Sequence, residues 1–364
     1  MKLRLTSAIA VFVAALAALA GAATFFEARA QELDFELTAT ARVLPDVGPG
    51  LQAIRRDAAG RYYALTAPGA SVMVFAPGGR FVGKIPSSPT KETAISYGAD
   101  LDVDAAGQIY VADRGANLIR VFGNIETGGQ DVAEIPVNSP ISVAALTGGE
   151  IAITSVHERH LVQILDLHGK LVREFGDLAN LADHLALNRY LNGGRVITDR
   201  ESHLYLAFTH YPEPTVRRYD RFGYSTLEIA LNTLEFAPVA TAKRRVIWEQ
   251  DQKSAAADLK PVVNAIGVDP VSGDIWIAVS DELVHYDKDG NRKGTTYRTF
   301  SPEGARVEPV SILVEPDRLL LAADPVGVFA FARPDKMSGN AEEKAAEKPE
   351  SKPAQKPAAP SQKP

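Results

Sequence analysis

The stretch GADLDVDAAGQIYVADRGANLIRVF (residues 98–122) decides the fold. Leu101 and Val103 alternate with polar residues, the period-two pattern of a half-buried strand. Asp104-Ala105-Ala106-Gly107 follows as a tight turn in which Gly107 is free to take a positive φ. Ile109-Tyr110-Val111-Ala112 is a nearly continuous apolar run, as expected of a strand covered on both faces. Asp113-Arg114-Gly115 breaks that run, and Leu118 to Phe122 reads as a third strand. One such meander has two apolar faces and cannot be stable alone.

The unit recurs. Residues 51–85 carry the same Asp-Ala-Ala-Gly turn at 57–60, and residues 140–176, 194–231 and 264–300 repeat the order of strands and turns. Residues 310–332 supply three strands and lack an outer fourth. Stacking six copies around an axis buries both faces of each. The expected fold is all-β: a six-bladed β-propeller within residues 31–336, with blades at about 51–87, 96–137, 140–177, 194–231, 264–300 and 308–335. Residues 33–44 form an orphan alternating strand, expected to complete the last blade, close the ring and hide an exposed edge. Residues 232–262 exceed a normal loop. Within them, residues 240–252 read as a short helix or an extra hairpin, with Trp248 packed on the ring.

Residues 103–123 (VDAAGQIYVADRGANLIRVFG) resemble an NHL repeat, and residues 269–290 and 308–332 resemble weaker ones. The resemblance implies a six-bladed β-propeller, similar to exported bacterial propellers of uncharacterised function. It does not imply an activity, because NHL-type rings serve as enzymes, ligand sensors and scaffolds.

The ends differ from the ring. Residues 1–30 read as a signal peptide: Lys2 and Arg4 precede an apolar run from Leu5 to about Ala23, and Ala28-Arg29-Ala30 offers a cleavage pattern before Gln31. No stable membrane span is expected after its removal, which places the protein in the periplasm or outside the cell. Residues 337–364 hold Lys, Pro, Ala and Glu with no aromatic or β-branched residue, the composition of a disordered tail. The whole chain of 364 residues carries a net charge of −6. The leader's +2 and the tail's +1 leave the ring near −9. Such a body repels a phosphate backbone, so no nucleic-acid partner is expected. The absence of cysteine excludes disulfides, thiolate zinc sites and Cys nucleophiles.

In a propeller, the loops between second and third strands and those leading into each first strand share one face around the channel mouth. Here the former are residues 66–71, 113–117, 155–160, 209–215, 280–282 and 324–327. Arg114, His157, Arg159, His160, His210, Tyr211 and Asp281 therefore form the candidate ligand-binding set. The run His157-Glu158-Arg159-His160 is one residue short of the zinc-protease spacing and lacks a helix, so it reads as loop. Asp287-Lys288-Asp289-Gly290-Asn291 begins like a calcium loop, but Arg292 and Arg298 stand where Gly and a bidentate Glu are needed. Asp57, Asp104 and Asp269 read as turn residues. The resemblance also brings to mind an NHL-type zinc lyase whose ligand histidines open the first strands; Ala99, Ile141, Ala265 and Ser311 stand in those neighbourhoods here, and none is His.

The expected function is a monomeric binding or scaffolding module that engages a protein, peptide or glycan through its loop face, with no cofactor and no metal site. No catalytic residue is legible. The alternative is a metal-assisted hydrolase or lyase of lactonase type, in which Asp100, Asn138, Asn192, Asn264 and Glu308 would hold a divalent cation at the channel mouth.

Overall fold

The computed structural model describes residues 35–67, 71–90, 93–156, 158–253, 259–324 and 327–336. The leader, the tail and His157 lie outside the described residues. Six small sheets, each built on an antiparallel meander, surround one axis. Blade 1 is β3–β6 (Leu51–Arg56, Tyr62–Thr66, Val72–Phe75, Phe81–Ile85). Blade 2 is β7–β10 (Gly98–Val103, Ile109–Asp113, Leu118–Phe122, Asp131–Pro136) and blade 3 is β11–β14 (Pro140–Ala145, Glu150–Ser155, His160–Asp166, Leu171–Asp177). Blade 4 is β15–β18 (Gly194–Thr198, Leu204–Phe208, Thr215–Tyr219, Ser225–Ala230). Blade 5 is β19–β22 (Ala265–Val268, Ile275–Val279, Glu282–Tyr286, Arg292–Phe300), and blade 6 contains β23–β25 (Ser311–Val314, Arg318–Ala323, Gly327–Ala332).

The second strands explain the sequence pattern. β8, β16 and β20 are buried at every position, because blades cover them on both sides. The core is correspondingly divided into six apolar clusters, one between each pair of neighbouring blades. The turn aspartates act as expected: Asp104 Oδ1 accepts from the amides of Ala106 at 2.8 Å and Gln108 at 2.9 Å. Gly107 and Gly60 close these turns at φ of 80° and 83°. The same turns receive a tyrosine hydroxyl six residues on, Tyr63 on Asp57, Tyr110 on Asp104 and Tyr205 on Asp199.

Ring closure follows the expectation and adds to it. β2 (Ala41–Val43) pairs antiparallel with β25 and supplies the fourth strand of blade 6. The preceding β1 (Phe35–Thr38) does not join that blade. It runs parallel to β22 as a fifth strand of blade 5. β22 is nine residues long and its far half presents a free edge to residues 35–38. Leu37 and Ala39 then fall into the apolar cluster between blades 5 and 6.

Two helices interrupt the ring on the blade 4 side. α1 (Leu185–Leu191) precedes blade 4, and α2 (Ala237–Lys253) follows it. The second settles the 240–252 segment as helix. Trp248, expected on the ring, is 65% exposed; Ala240, Lys243, Ile247 and Asp251 form the buried face instead. Leu187, Leu191 and Ile247 make the contact between the helices. Asp251 accepts from the amides of Asp183 and His184 at 2.9 and 3.0 Å, so α2 satisfies donors at the start of α1. Those bonds hold its carboxyl below the usual aspartate range.

Candidate functional site

The innermost strands place charged residues where blades converge, and these close the axis. Arg195, second residue of β15, reaches across from blade 4 and donates through Nη1 to the carbonyls of Gln52 in blade 1 at 2.9 Å and Val310 beside blade 6 at 2.8 Å. Below it, Arg55 of blade 1 donates to Asp100 of blade 2 at 3.0 Å and Ser311 of blade 6 at 3.2 Å. The fully buried Asp100 also accepts from its neighbour amide of Leu101 and from Ser142 of blade 3. Ser142 in turn accepts from the amide of Val196 in blade 4 at 3.0 Å. Five blades are thus tied by one chain of polar contacts. Burial pushes the Asp102 carboxyl up to about 6, against the pull of Arg55, and desolvation draws Arg195 below the usual arginine value.

Above Arg195 the mouth forms a cavity of about 160 Å³. Its lining includes Tyr97, Arg114, Tyr190, Arg195 and His210 and, among the described residues, contains no carboxylate. Asp113 orients one rim: it is buried, accepts from the amides of Ser96 and Tyr97 at 2.9 Å each and pairs with Arg120 at 3.0 Å. The Arg114 amide donates to the Tyr97 carbonyl at 2.9 Å, which locks the two loops together. On the opposite rim the Tyr190 ring of α1 stacks on His210, with centroids 4.6 Å apart. Behind His210, Lys243 of α2 lies with Nζ 3.4 Å from Nδ1 and 2.6 Å from the Lys260 carbonyl. Burial and the Lys243 charge push His210 down to about 3, so its ring is neutral at physiological pH. Burial pushes Lys243 down to about 8.

The candidate residues of the sequence separate into groups. Arg114 and His210 line the cavity. Tyr211 is buried behind it, stacked on Phe208 at 3.9 Å, with its hydroxyl donating to Asn192 Oδ1 at 2.9 Å. His160 sits at the start of β13, with Nε2 3.5 Å from Glu174, and Arg159 is exposed beside it. Asp281 pairs with Arg306 at 3.3 Å and its carbonyl accepts from Thr299, so it secures the end of blade 5. Tyr97 lies in a loop and Tyr190 in α1, both leading into first strands, but no motif marked them. Lys243 was hidden by distance, 33 residues from its partner. Arg195 carried a signal: a lone arginine inside an apolar inner strand.

Of the five oxygen donors considered for a divalent cation, three are engaged in other hydrogen bonds. Asp100 is committed to Arg55, Leu101 and Ser142. Asn192 Oδ1 accepts from the Ala179 amide and from Tyr211, and Asn264 Oδ1 accepts from the Ser280 amide at 3.0 Å. A second cluster, Asp274, His285 and Asp335, brings its ligand atoms within 4.8 Å of one another. Lys293 lies 3.0 Å from Asp274 and Arg333 lies 2.7 Å from Asp335, so these carboxylates already have cationic partners.

The ring is that of the six-bladed β-propellers. No protein-family profile matches the chain, and no curated protein matches it in sequence. Solved structures match its fold. A streptogramin B lyase superposes with a TM-score of 0.50 at 15% identity, over 79% of this chain and 84% of the other. A catalytically inactive virginiamycin B lyase from Staphylococcus aureus, solved with quinupristin, gives 0.52 at 10% identity, over 79% and 82%. The WD40 repeats of RRP9 give 0.50 at 10% identity, over 82% and 99%. At such identities the likeness is one of fold. Among the described residues, no helix is long and apolar enough to cross a membrane.

Proposed function

We propose that this chain is an exported binding module of the NHL-propeller type, which engages a protein, peptide or glycan through the loop face around the mouth cavity. The observation that carries this reading is the closed axis. Arg195 and the Arg55–Asp100–Ser142 chain block the channel, so the mouth is a cup with a floor. A fixed scaffold presenting Tyr97, Arg114 and the Tyr190–His210 stack around a concave centre has the anatomy of a recognition surface. The WD40 neighbour is consistent with a scaffold, and the lyase solved with quinupristin is consistent with a ring that takes a ligand. The lactonase-type alternative is less favoured because Asp100, Asn192 and Asn264, three of the five oxygen donors it would use, are engaged in other hydrogen bonds. Export rests on the leader-like residues 1–30, with Gln31 as the mature first residue.

Peptide and glycan arrays probed with the full chain and with Tyr97→Ala and Arg114→Gln variants test the assignment. Wild-type protein retained on a defined subset, with that subset lost in both variants, is the expected result. An unchanged retention pattern in both variants removes the mouth as the binding face. Edman sequencing of protein recovered from the periplasm or medium tests export, and a chain retained in the cytoplasm refutes it.

A further inference from the structure

We propose that the cup binds the carboxylate of a ring-sized organic acid, gripped by Arg114 and Arg195; this rests on the reading of the mouth as a binding face. Among the described residues, the cavity is lined by two guanidinium groups and no Asp or Glu. Arg195 spends Nη1 on two carbonyls, while its Nε and Nη2 make no hydrogen bond among the described residues. Arg114 forms no ion pair among the described residues. Behind the wall, the Lys243 ammonium is buried and has a carbonyl and a neutral imidazole for partners. Asp100, beneath the floor, is committed to Arg55 and Ser142. Three cations therefore surround one concave space in a chain of net charge −6.

Arg195 is desolvated and the only carboxylate it feels is Asp100 beneath the floor, while Arg114 stands exposed at the rim. An anion entering the cup offsets the cost of the desolvated guanidinium. The planar guanidinium fork suits a carboxylate, which accepts two parallel hydrogen bonds. Size and shape narrow the class. A space of about 160 Å³ is close to the volume, on the order of 150 Å³, that holds one benzene ring in an apolar protein cavity. Ile141, Val156 and the Tyr97 ring give this cup an apolar flank. A ring can use that flank; an inorganic anion leaves it empty. The neutral His210 and the Thr209 hydroxyl remain for polar substituents. Lys243 adds long-range attraction without touching the ligand.

Calorimetric titration of the full chain with benzoate, benzamide and inorganic phosphate tests the proposal. Benzoate saturates a single site and weakens as salt is raised. Benzamide, without the charge, binds at least about tenfold more weakly, and Arg114→Gln weakens benzoate by a similar factor. Lys243→Gln, a variant outside the lining, weakens benzoate less than Arg114→Gln does. Melting curves of both variants establish that they are folded. Failure of benzoate to saturate wild type overturns the proposal, as does benzamide binding as tightly as benzoate or an affinity unchanged in Arg114→Gln. Phosphate binding as tightly as benzoate overturns the assignment to a ring-borne carboxylate. The array result is independent: retention without benzoate binding sinks this proposal alone, and benzoate binding without retention sinks the larger recognition surface alone.

Discussion

Replacing Asp100 measures how much the ring depends on its polar axis. The carboxylate is fully buried and accepts from Arg55 at 3.0 Å, from the Leu101 amide at 2.9 Å and from Ser142. Removing one partner of a buried ion pair costs about 3–5 kcal/mol, because the other charge is left uncompensated. Here Arg55 retains Ser311 at 3.2 Å and Asp102 at 3.7 Å, which favours the lower end. Ser142 loses its closer acceptor and keeps only the Val196 carbonyl at 3.4 Å, which adds up to about 1 kcal/mol. Asp100→Ala should therefore destabilise by about 3–4 kcal/mol, read as a lower urea midpoint or a melting temperature lowered by about 6 °C or more. Asp100→Asn keeps the shape and one acceptor oxygen for Arg55, and should cost about half as much. Equilibrium urea unfolding followed by circular dichroism separates the two. If Asp100→Ala lies within about 1 kcal/mol of wild type, or if the Asn variant is as stable as wild type, the axis does not depend on this charge.

Two further outcomes follow from neighbouring features. The Asp102 carboxyl, raised by burial to about 6 from an ordinary 3.8, binds a proton more readily in the folded chain than in the unfolded one. Its stabilising contribution is full below about pH 4 and is lost as pH rises through 6. With 18% of the side chain exposed, the swing is about 2 kcal/mol. Asp102→Asn should flatten the stability–pH curve between pH 4 and 7 by about that amount, and parallel curves for variant and wild type would contradict it. Leu37, buried at the junction of blades 5 and 6, should cost about 2–3 kcal/mol as Leu37→Ala in the same urea experiment; a midpoint equal to wild type would mean that β1 contributes no packing.

The ring was legible because a period-two pattern and a repeated turn are local properties. Ile109 to Ala112 is apolar at every position because two blades must cover it, and no partner need be known to read that. The partner of β1 was not legible for the complementary reason. Alternation in residues 33–44 marks which side chains turn inward, but not whether the backbone bonds to blade 6 or blade 5. The division at Ala39-Thr40 appears only once the long β22 offers its edge: the Ala39 amide donates to Phe300 and the next amide, of Thr40, to Ala330. The mouth was partly legible. Topology placed Arg114 and His210 on one face, but whether a loop side chain is free or committed depends on neighbours far along the chain. Tyr211 is held by Asn192, and the two residues are 19 positions apart. Lys243 acquires its role only because α2 folds back onto blade 4.

The polar axis also explains how so short a closing strand suffices. β2 is three residues long and joins the first part of the ring to its last blade by few hydrogen bonds. Strand pairs of that length are marginal alone. The axis supplies a second closure at the opposite edge of each blade: Arg55 ties blade 1 to blades 2 and 6, and Arg195 ties blade 4 to blades 1 and 6. Opening the ring at β2 would leave these inner ties in place, whereas opening it at the axis would strand buried guanidiniums. The inner charges therefore act as a structural lock, and their cost limits what can vary around them. Substitutions at the mouth that spare Arg195 can change the cup's rim, through Tyr97 and Arg114, without loosening the ring beneath it. In this arrangement the floor is fixed by folding and the rim is free to vary.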